Sequence, residues 1–253
     1  MQKAVIDSSF LVCGHRGYAA KYPENTLISY EEAVKTGVAM VEIDIGVSAD
    51  GVLMLCHDST LDRTSDGKGP VSDYTYGELK RFNMAALFPG LPAQRMMTLE
   101  ECLIWIRQYP GLMLNIDLKH YGADVARQAA ELTDSYGLTG RTVFNGLNGE
   151  GLAMIHKLGL FTEGSPEGKY GMENFDALWD GGKIMMDAVC IYWKDISPEY
   201  VKTLKSLYGE DIAIWSFGID TDSSVKLAYE NGISLVLAND PFPALAFKKK
   251  HNL

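Results

Sequence analysis

The chain has 253 residues, of which 47% are hydrophobic and 22% are charged, a composition typical of a soluble globular protein with a sizeable core. No apolar run reaches the roughly 18 residues that a membrane-spanning helix requires, so we expect no stable membrane insertion. The net charge of −10 argues against general nucleic-acid binding, which favours a basic face.

The compartment can be addressed from the N-terminus and the cysteines. The segment Met1–Asp7 lacks the long apolar run of a signal peptide. The four cysteines are scattered without the short spacings of a zinc site: Cys13, Cys56, Cys102 and Cys190. We therefore expect a cytoplasmic protein with buried free thiols.

Short apolar runs alternate with helix-like stretches along the whole chain. Eight runs are predicted as strands: Phe10–Gly14, Met40–Ile45, Leu112–Leu118, Arg141–Phe144, Leu160–Glu163, Ala188–Trp193, Ile212–Phe217 and Ile233–Ala238. The predicted helices are Glu24–Thr36, Leu99–Tyr109, Asp124–Tyr136, Gly149–Leu158, Pro198–Tyr208, Ser223–Asn231 and Pro241–Lys250. This alternation and the length predict a TIM (β/α)8 barrel. A doubly wound open sheet also fits the alternation, but the first strand lacks a dinucleotide-type glycine-rich turn.

One long interval, about residues 46–97, interrupts the rhythm after the second strand. A structureless loop of that length is unusual. The interval contains a strand-like run at Val52–Cys56 and a helix-like run at Tyr76–Arg81. We expect one barrel domain over residues 1–253, with this interval as a small inserted subdomain beside the active end of the barrel.

The second predicted strand carries two carboxylates on one face. Side chains alternate across a strand, so Glu42 and Asp44 share a face opposite Val41 and Ile43. Two adjacent carboxylates resist burial unless something compensates their charge. A bound hard cation would do so, and so would salt bridges at an exposed strand end.

The third predicted strand repeats this pattern. Asn115, Asp117 and Lys119 share one face, and in a barrel this strand lies beside the one that carries Glu42 and Asp44. Three carboxylates suit Mg²⁺ or Ca²⁺, and Lys119 supplies positive charge for a phosphate. The alternative is a buried Lys–Asp pair that braces the barrel interior.

Two histidines end apolar runs on either side of the Glu42–Asp44 pair. His15 follows the first predicted strand and precedes Arg16, whose planar group of donors suits phosphate oxygens. His57 follows the strand-like run of the insertion. Histidine moves protons near neutral pH, so the pair is suited to act as base and acid around a phosphorus atom.

An ordered set of motifs runs through the first third of the chain: His15-Arg16-Gly17, Pro23-Glu24-Asn25-Thr26, Glu42-Ile43-Asp44, Asp50-Gly51, His57-Asp58 and Leu61-Asp62-Arg63-Thr64. This set resembles the glycerophosphodiester phosphodiesterase family. Later landmarks also fit: Asp117 and Lys119 on one strand, Trp215 in a late strand, and the Asn239-Asp240-Pro241 ending.

The resemblance implies a TIM barrel with an insertion after the second strand. It implies metal ligands at Glu42, Asp44 and Asp117, acid–base catalysis by His15 and His57, and substrate binding by Arg16, Lys119 and Trp215. The substrate would be a small glycerophosphodiester, hydrolysed to glycerol phosphate and an alcohol through a cyclic phosphate.

The chain departs from the family pattern at three places around the expected pocket. Asp117 stands where the family usually has Glu, Asn239 where it has Thr, and Trp215-Ser216-Phe217-Gly218 replaces a Trp-Thr-Val-Asn type run. Glu163, near the end of a mid-chain strand, is a further candidate for the pocket.

Three other functions remain open from the sequence. A lysophospholipase D or sphingomyelinase D-like enzyme would need apolar access for a lipid chain, which the Phe82–Pro92 stretch offers. A non-catalytic barrel that binds a phosphorylated ligand would lack a catalytic residue. A sugar-phosphate lyase or isomerase would use Lys119 for a Schiff base.

Overall fold

Eight parallel strands close into a barrel in the computed structural model, which describes residues 10–165 and 172–253. They are β1 (Leu11–Gly14), β2 (Met40–Val47), β4 (Met113–Asp117), β5 (Thr142–Gly146), β6 (Phe161–Gly164), β9 (Ala188–Tyr192), β10 (Ala213–Phe217) and β11 (Leu235–Ala238). Each pairs with its neighbour in chain order, and a parallel pairing of β1 with β2 closes the ring. The predicted TIM barrel is confirmed.

Helices follow most strands and cover the barrel: α1 (Leu27–Thr36), α3 (Leu99–Ile106), α4 (Ala123–Ser135), α5 (Gly149–Lys157), α6 (Pro198–Tyr208), α7 (Asp222–Glu230) and α8 (Phe242–His251). Helix α1 starts three residues later than the predicted Glu24. Asn25 adopts a left-handed conformation (φ 56°), and the side chain of Thr26 caps the helix by accepting the N–H of Ser29. A right-handed helix cannot include a residue in the left-handed conformation, so the helix cannot begin before Asn25.

The interval after β2 builds a small layer of its own. Strand β3 (Leu53–Leu55) pairs antiparallel with the end of β2, and a 3₁₀ turn (Val71–Asp73) and the short helix α2 (Tyr76–Leu79) follow. Apolar side chains form a separate core under these elements: Met54, Cys56, Leu61, Val71, Leu79, Met84 and Met96. Two short strands, β7 (Trp179–Asp180) and β8 (Lys183–Ile184), form a hairpin between β6 and β9.

The barrel interior is filled in layers by side chains from alternate strands. The strand register places Cys13, Asn115, Glu163 and Trp215 in one such layer. Asn115 Nδ2 donates to Glu163 Oε2 at 2.7 Å, and the Trp215 ring stacks on Phe161 at 5.9 Å. By the same register, Glu42 and Asp117 are interior residues that lie above this layer, closer to the carboxyl ends of the strands.

Several expectations about the chain as a whole can be compared with these residues. No helix in the described ranges is long and apolar enough to cross a membrane. All four cysteines are buried and free. The N-terminal segment that prompted the expectation about a signal peptide lies outside the described residues.

Gly17 is the residue that allows the chain to turn after His15 and Arg16. It has φ +87°, and an added Cβ would lie 2.4 Å from Ser29 Oγ and 2.7 Å from the backbone carbon of Ser29. Gly37, the C-cap of α1, has φ +93° but open space around the same position. An added Cβ at Gly37 would therefore meet backbone strain alone, whereas one at Gly17 would meet the same strain and a steric clash with Ser29.

We expect Gly37→Ala to lower the free energy of unfolding by about 1–2 kcal/mol, the cost of left-handed strain. Gly17→Ala should lower it by about 3–4 kcal/mol, because overpacking against Ser29 adds to the same strain. Urea unfolding of the two variants measures the difference. Equal losses would show that the helix α1 backbone moves away from Gly17 at little cost.

Candidate active site

The candidate site lies at the carboxyl ends of the barrel strands, where loops after β1, β2 and β4 meet. Glu42, Asp44 and Asp117 each offer an oxygen there, and these three atoms lie within 4.8 Å of one another. Glu42 and Asp44 are buried and Asp117 is half-buried. The parallel register sets Asp44 directly beside Asp117, because β2 and β4 are neighbours.

Asp44 is the most enclosed member of the group, with no exposed surface. Its Oδ2 accepts Asn25 Nδ2 at 2.6 Å and lies 3.3 Å from Arg16 Nε. Its Oδ1 forms an ion pair with Lys119 Nζ but accepts no directed hydrogen bond from the described residues. Burial alone would raise the pKa of Asp44, but the charges of Lys119 and Arg16 outweigh it and hold that pKa below its usual range.

Glu42 is buried with less compensation. Its Oε2 accepts the backbone N–H of Arg16 at 2.8 Å and lies 4.0 Å from His15 Nε2. Burial and the negative charge of Asp44 raise the pKa of Glu42 well above its usual value. One carboxyl of the group therefore lacks a full counter-charge.

Lys119 stands between two carboxylates. Its ammonium contacts Asp44 and Asp117, and its backbone N–H donates to Asp117 Oδ1 at 2.8 Å. Although burial lowers the pKa of Lys119, the charges of Asp117 and Asp44 outweigh that effect and raise it. Lys119 is therefore a firmly charged ammonium at neutral pH.

His15 is held from behind by a polar relay. Its Nδ1 lies 2.9 Å from Asn239 Oδ1, and Asn239 Nδ2 donates to Asp220 Oδ2 at 2.8 Å. Asp220 Oδ1 also accepts the backbone N–H groups of Asn239 and Asp240 at 2.6 and 3.0 Å. Burial, followed by the charge of Arg16, lowers the pKa of His15 to about 4, so the ring is neutral at pH 7.

His57 is held from the insertion side by an ion network. Its Nδ1 lies 2.7 Å from Asp58 Oδ1. Arg63 donates to both oxygens of Asp58, at 2.6 and 2.9 Å, and to both oxygens of Glu24, each at 2.7 Å. Glu24 Oε1 in turn accepts a hydrogen bond from Arg16 Nη1 at 3.1 Å. One guanidinium thus connects the support of His57 with that of Arg16.

The structure brings seven of the eight predicted site residues together at the mouth: His15, Arg16, Glu42, Asp44, His57, Asp117 and Lys119. Trp215 is different, because its side chain has no exposed surface and stacks on Phe161 within the barrel. Its position gives no support to the prediction that it binds substrate. Glu163 lies in the same interior layer, with 1% of its surface exposed, and does not line the mouth.

Sequence reasoning assigned no role to five residues that hold the site: Glu24, Asn25, Arg63, Asp220 and Asn239. The first three and Asn239 lie within motifs that carried the family resemblance, and that is the signal from which a supporting role was open to inference. Asp220 lies outside those motifs. Asp220 contacts a residue 19 positions away in the chain, and the periodicity of the sequence does not indicate such a contact.

Comparison with known proteins agrees with this geometry. The family model of the Glycerophosphoryl diester phosphodiesterase family matches residues 15–141, half of the chain, and the chain belongs to this family. A glycerophosphodiester phosphodiesterase from Bacillus altitudinis is 34% identical over 151 residues, which are 58% of this chain and 62% of that protein. The match thus spans less than two thirds of that relative. Another, from Caldanaerobacter subterraneus subsp. tengcongensis, is 24% identical over 244 residues, 91% of this chain and 94% of its own.

Solved structures share the fold. A phosphodiesterase from Oleispira antarctica in complex with the product sn-glycerol-3-phosphate superposes with a TM-score of 0.79 at 22% identity, covering 96% of this chain and 98% of that one. A glycerophosphodiester phosphodiesterase from Agrobacterium tumefaciens gives 0.76 at 20% identity, covering 93% and 99%. At these identities the likeness establishes the barrel.

The buried carboxyl of Glu163, beneath the site, should make the stability of the protein depend on pH. Burial raises its pKa to about 7, above the ordinary value of 4.5. An acid whose folded pKa is raised favours folding below its unfolded pKa, and this contribution is lost as pH rises through the folded pKa. We therefore expect Glu163→Gln to gain stability relative to the parent protein between pH 5 and pH 8, by up to about 3 kcal/mol.

Urea unfolding in EDTA at several pH values measures that difference. The exposed Glu210→Gln serves as the control and should leave the pH profile unchanged. A Glu163→Gln profile parallel to that of the parent would mean that Glu163 ionises normally inside the barrel.

Proposed function

We propose that the chain is a metal-dependent glycerophosphodiester phosphodiesterase, which hydrolyses a small phosphodiester to glycerol phosphate and an alcohol. The observation that carries the proposal is the meeting of three carboxylates, Arg16 and Lys119 at the barrel mouth, flanked by His15 and His57. The names of the relatives support the same reaction class. We further propose that residues 1–253 act as one barrel domain, with 46–97 as its insertion.

The carboxylate group fits a divalent cation with oxygen ligands, Mg²⁺ or Ca²⁺. Its donors are hard oxygens, Asp44 Oδ1 accepts no directed hydrogen bond from the described residues, and Glu42 lacks a full counter-charge. Glu42, Asp44 and Asp117 would hold the ion. The ion would supply positive charge to the phosphoryl oxygens and lower the pKa of an attacking hydroxyl.

Arg16 and Lys119 bind the phosphate in this scheme. Arg16 presents several donors in a plane that matches phosphate oxygens, and Glu24 fixes the orientation of that plane. Lys119 is charged and pairs with the same carboxylates that would hold the cation. Its raised pKa also argues against a Schiff-base lyase, because that chemistry needs a neutral amine.

The relay behind His15 supports the role of general base for this residue. Asn239 directs its NH₂ group at the Asp220 carboxylate, so its carbonyl oxygen faces His15. A carbonyl accepts only, which requires the proton of the neutral imidazole to lie on Nδ1. Nε2, which lies on the Glu42 side, then carries the lone pair that accepts a proton.

His57 then serves as the general acid. Its Nδ1 donates to the Asp58 carboxylate, which Arg63 holds in place. The acid is therefore the doubly protonated ring, which carries its transferable proton on Nε2. Its side chain is 34% exposed, compared with 17% for His15, so it lies nearer the solvent from which the proton is replaced.

The reaction proceeds in two steps. A glycerol hydroxyl of the substrate attacks phosphorus, His15 Nε2 takes its proton, and His57 gives a proton to the departing alcohol oxygen. Water then opens the cyclic phosphate with the two roles reversed. The attacking hydroxyl belongs to the substrate, so little translational entropy is lost.

We expect purified protein to hydrolyse glycerophosphocholine, to lose activity in EDTA and to regain it with Mg²⁺ or Ca²⁺. His15→Ala and His57→Ala should each lower kcat about 10²–10⁴-fold, the usual contribution of one acid–base group. Glu42→Ala should abolish the recovery by metal. A coupled assay for glycerol phosphate measures all four proteins, with exposed Glu210→Gln as control. Full activity of either histidine variant contradicts the mechanism, and full activity of Glu42→Ala contradicts the metal site.

We expect Asn239→Leu to release the His15 tautomer, because the acceptor for Nδ1–H is lost. Imidazole ¹⁵N–¹H correlation spectra should show Nδ1 protonated in the parent protein and a mixture of tautomers in the variant. The kcat should fall about tenfold or more, since only one tautomer presents the Nε2 lone pair. Asn239→Thr, which retains a hydroxyl acceptor, serves as the conservative comparison. An Nε2-protonated ring in the parent protein would overturn the assignment of His15 as base.

A further inference from the structure

A cavity of about 690 Å³ opens beside the candidate site. One wall comes from the end of β2 and the insertion, at Val47 and Val71, and the other from loops after β4 and β5, at Tyr121 and Leu147. Lys119 and His57 line the same space. We call this space the side cavity, and it adjoins two residues that the proposed function places at the phosphate.

The side cavity is walled mainly by hydrocarbon. Ile45, Val47, Val71 and Leu147 contribute aliphatic surface, and Tyr121 contributes its ring. The Tyr121 hydroxyl oxygen accepts the backbone N–H of Val47. An apolar wall of this kind gains free energy by removing hydrocarbon from water.

The charged groups of the lining have partners among the described residues. Asp58 bonds His57 and Arg63, Lys119 pairs with Asp44 and Asp117, and His120 lies 3.3 Å from Glu173. Tyr121 is the only Phe, Tyr or Trp ring among the lining residues described. A quaternary ammonium head group favours an aromatic cage or a free carboxylate, and this lining offers neither.

We propose that the side cavity receives an aliphatic group of the phosphodiester, whose phosphate lies at Lys119. The inference rests on the proposed function and adds a substrate class to it. The volume falls within the range of roughly 300–1,000 Å³ of pockets that enclose drug-sized ligands, and it exceeds the need of a small head group.

The location differs from the apolar access that the sequence indicates at Phe82–Pro92. Met84 is 2% exposed in the core of the insertion, while Leu87 is 63% exposed on its surface. Neither residue lines the side cavity. Leu87 is therefore a matched control, an exposed apolar residue of the insertion that is not among the lining residues of the side cavity.

The first test measures binding without turnover, by calorimetric titration of the Mg²⁺-loaded protein with methylphosphonate and with octylphosphonate. A fully buried methylene strengthens binding about fourfold, so a partly enclosed octyl chain should bind at least tenfold more tightly than the methyl group. Leu147→Gln and the nearly isosteric Val47→Thr should each remove much of this advantage and leave methylphosphonate binding unchanged. Leu87→Gln should behave as the parent protein. Thermal melting checks that each variant is folded. If Leu147→Gln does not fold, Val47→Thr alone still tests the proposal.

The second test places the chain on either side of phosphorus. The kcat/KM for glycerophosphoethanol is compared with that for glycerophospho-octanol, which carries the chain on the leaving alcohol, and with that of an analogue carrying a 1-octyl chain on the glycerol. The octyl compound that fits should show a higher kcat/KM, and Leu147→Gln should abolish the difference.

The two proposals fail separately. Equal binding of methyl- and octylphosphonate overturns the side-cavity proposal, even if the short diester is hydrolysed. Tight octylphosphonate binding that depends on Leu147, without hydrolysis of any diester, supports the cavity and overturns the proposed function. An octyl advantage that persists in both cavity variants shows that the chain binds elsewhere and also contradicts the proposal.

Discussion

The buried carboxylate of Asp44 is the group on which the arrangement of the barrel mouth depends. Its side chain contacts Asn25, Arg16 and Lys119, and its backbone carbonyl accepts the N–H of Cys56 at 3.0 Å. An ionised carboxylate in such a place costs several kcal/mol unless it is paired and hydrogen-bonded. The three side-chain partners come from different segments, so compensation of one charge fixes the loop after β1, the approach to α1 and the turn after β4. The backbone hydrogen bond to Cys56 separately holds the residue that precedes His57.

Backbone strain at the mouth serves the same compensation. Arg16, Asn25 and Lys119 have φ values of 57°, 56° and 53°, and they are three of the five non-glycine residues with positive φ in the described ranges. Each such conformation costs about 1–2 kcal/mol for an ordinary side chain. Arg16 and Lys119 use the bend to donate a backbone N–H to Glu42 and Asp117. Strain of this kind persists where surrounding contacts determine the backbone, and it is common at functional sites.

The sequence predicts the barrel and the carboxylate group because both follow from short-range periodicity. Period-two alternation gives the face on which Glu42, Asp44 and Asp117 lie, and the adjacency of consecutive strands brings them together. Alternation does not indicate how deep along a strand a side chain lies. It therefore could not indicate that Trp215 and Glu163 lie within the barrel rather than at its mouth. The supports contributed by Arg63 and Asp220 are loop contacts between distant segments, and these depend on the folded chain rather than on any local pattern.

Asp117 is one methylene shorter than the Glu that the family usually has at this position, and Lys119 holds its carboxylate in place. Asp117 Oδ1 accepts the backbone N–H of Lys119, and Oδ2 contacts the ammonium of the same residue. Even so, an Asp117 oxygen remains within 4.8 Å of those of Glu42 and Asp44, so the missing methylene does not remove it from the group. Because Lys119 also pairs with Asp44 Oδ1, a bound cation would compete with the ammonium for the same two aspartates. Under the proposed function, a cation that took these oxygens would leave the Lys119 ammonium for a phosphate oxygen. The affinity for metal and the affinity for an anionic substrate would then be coupled through one turn after β4.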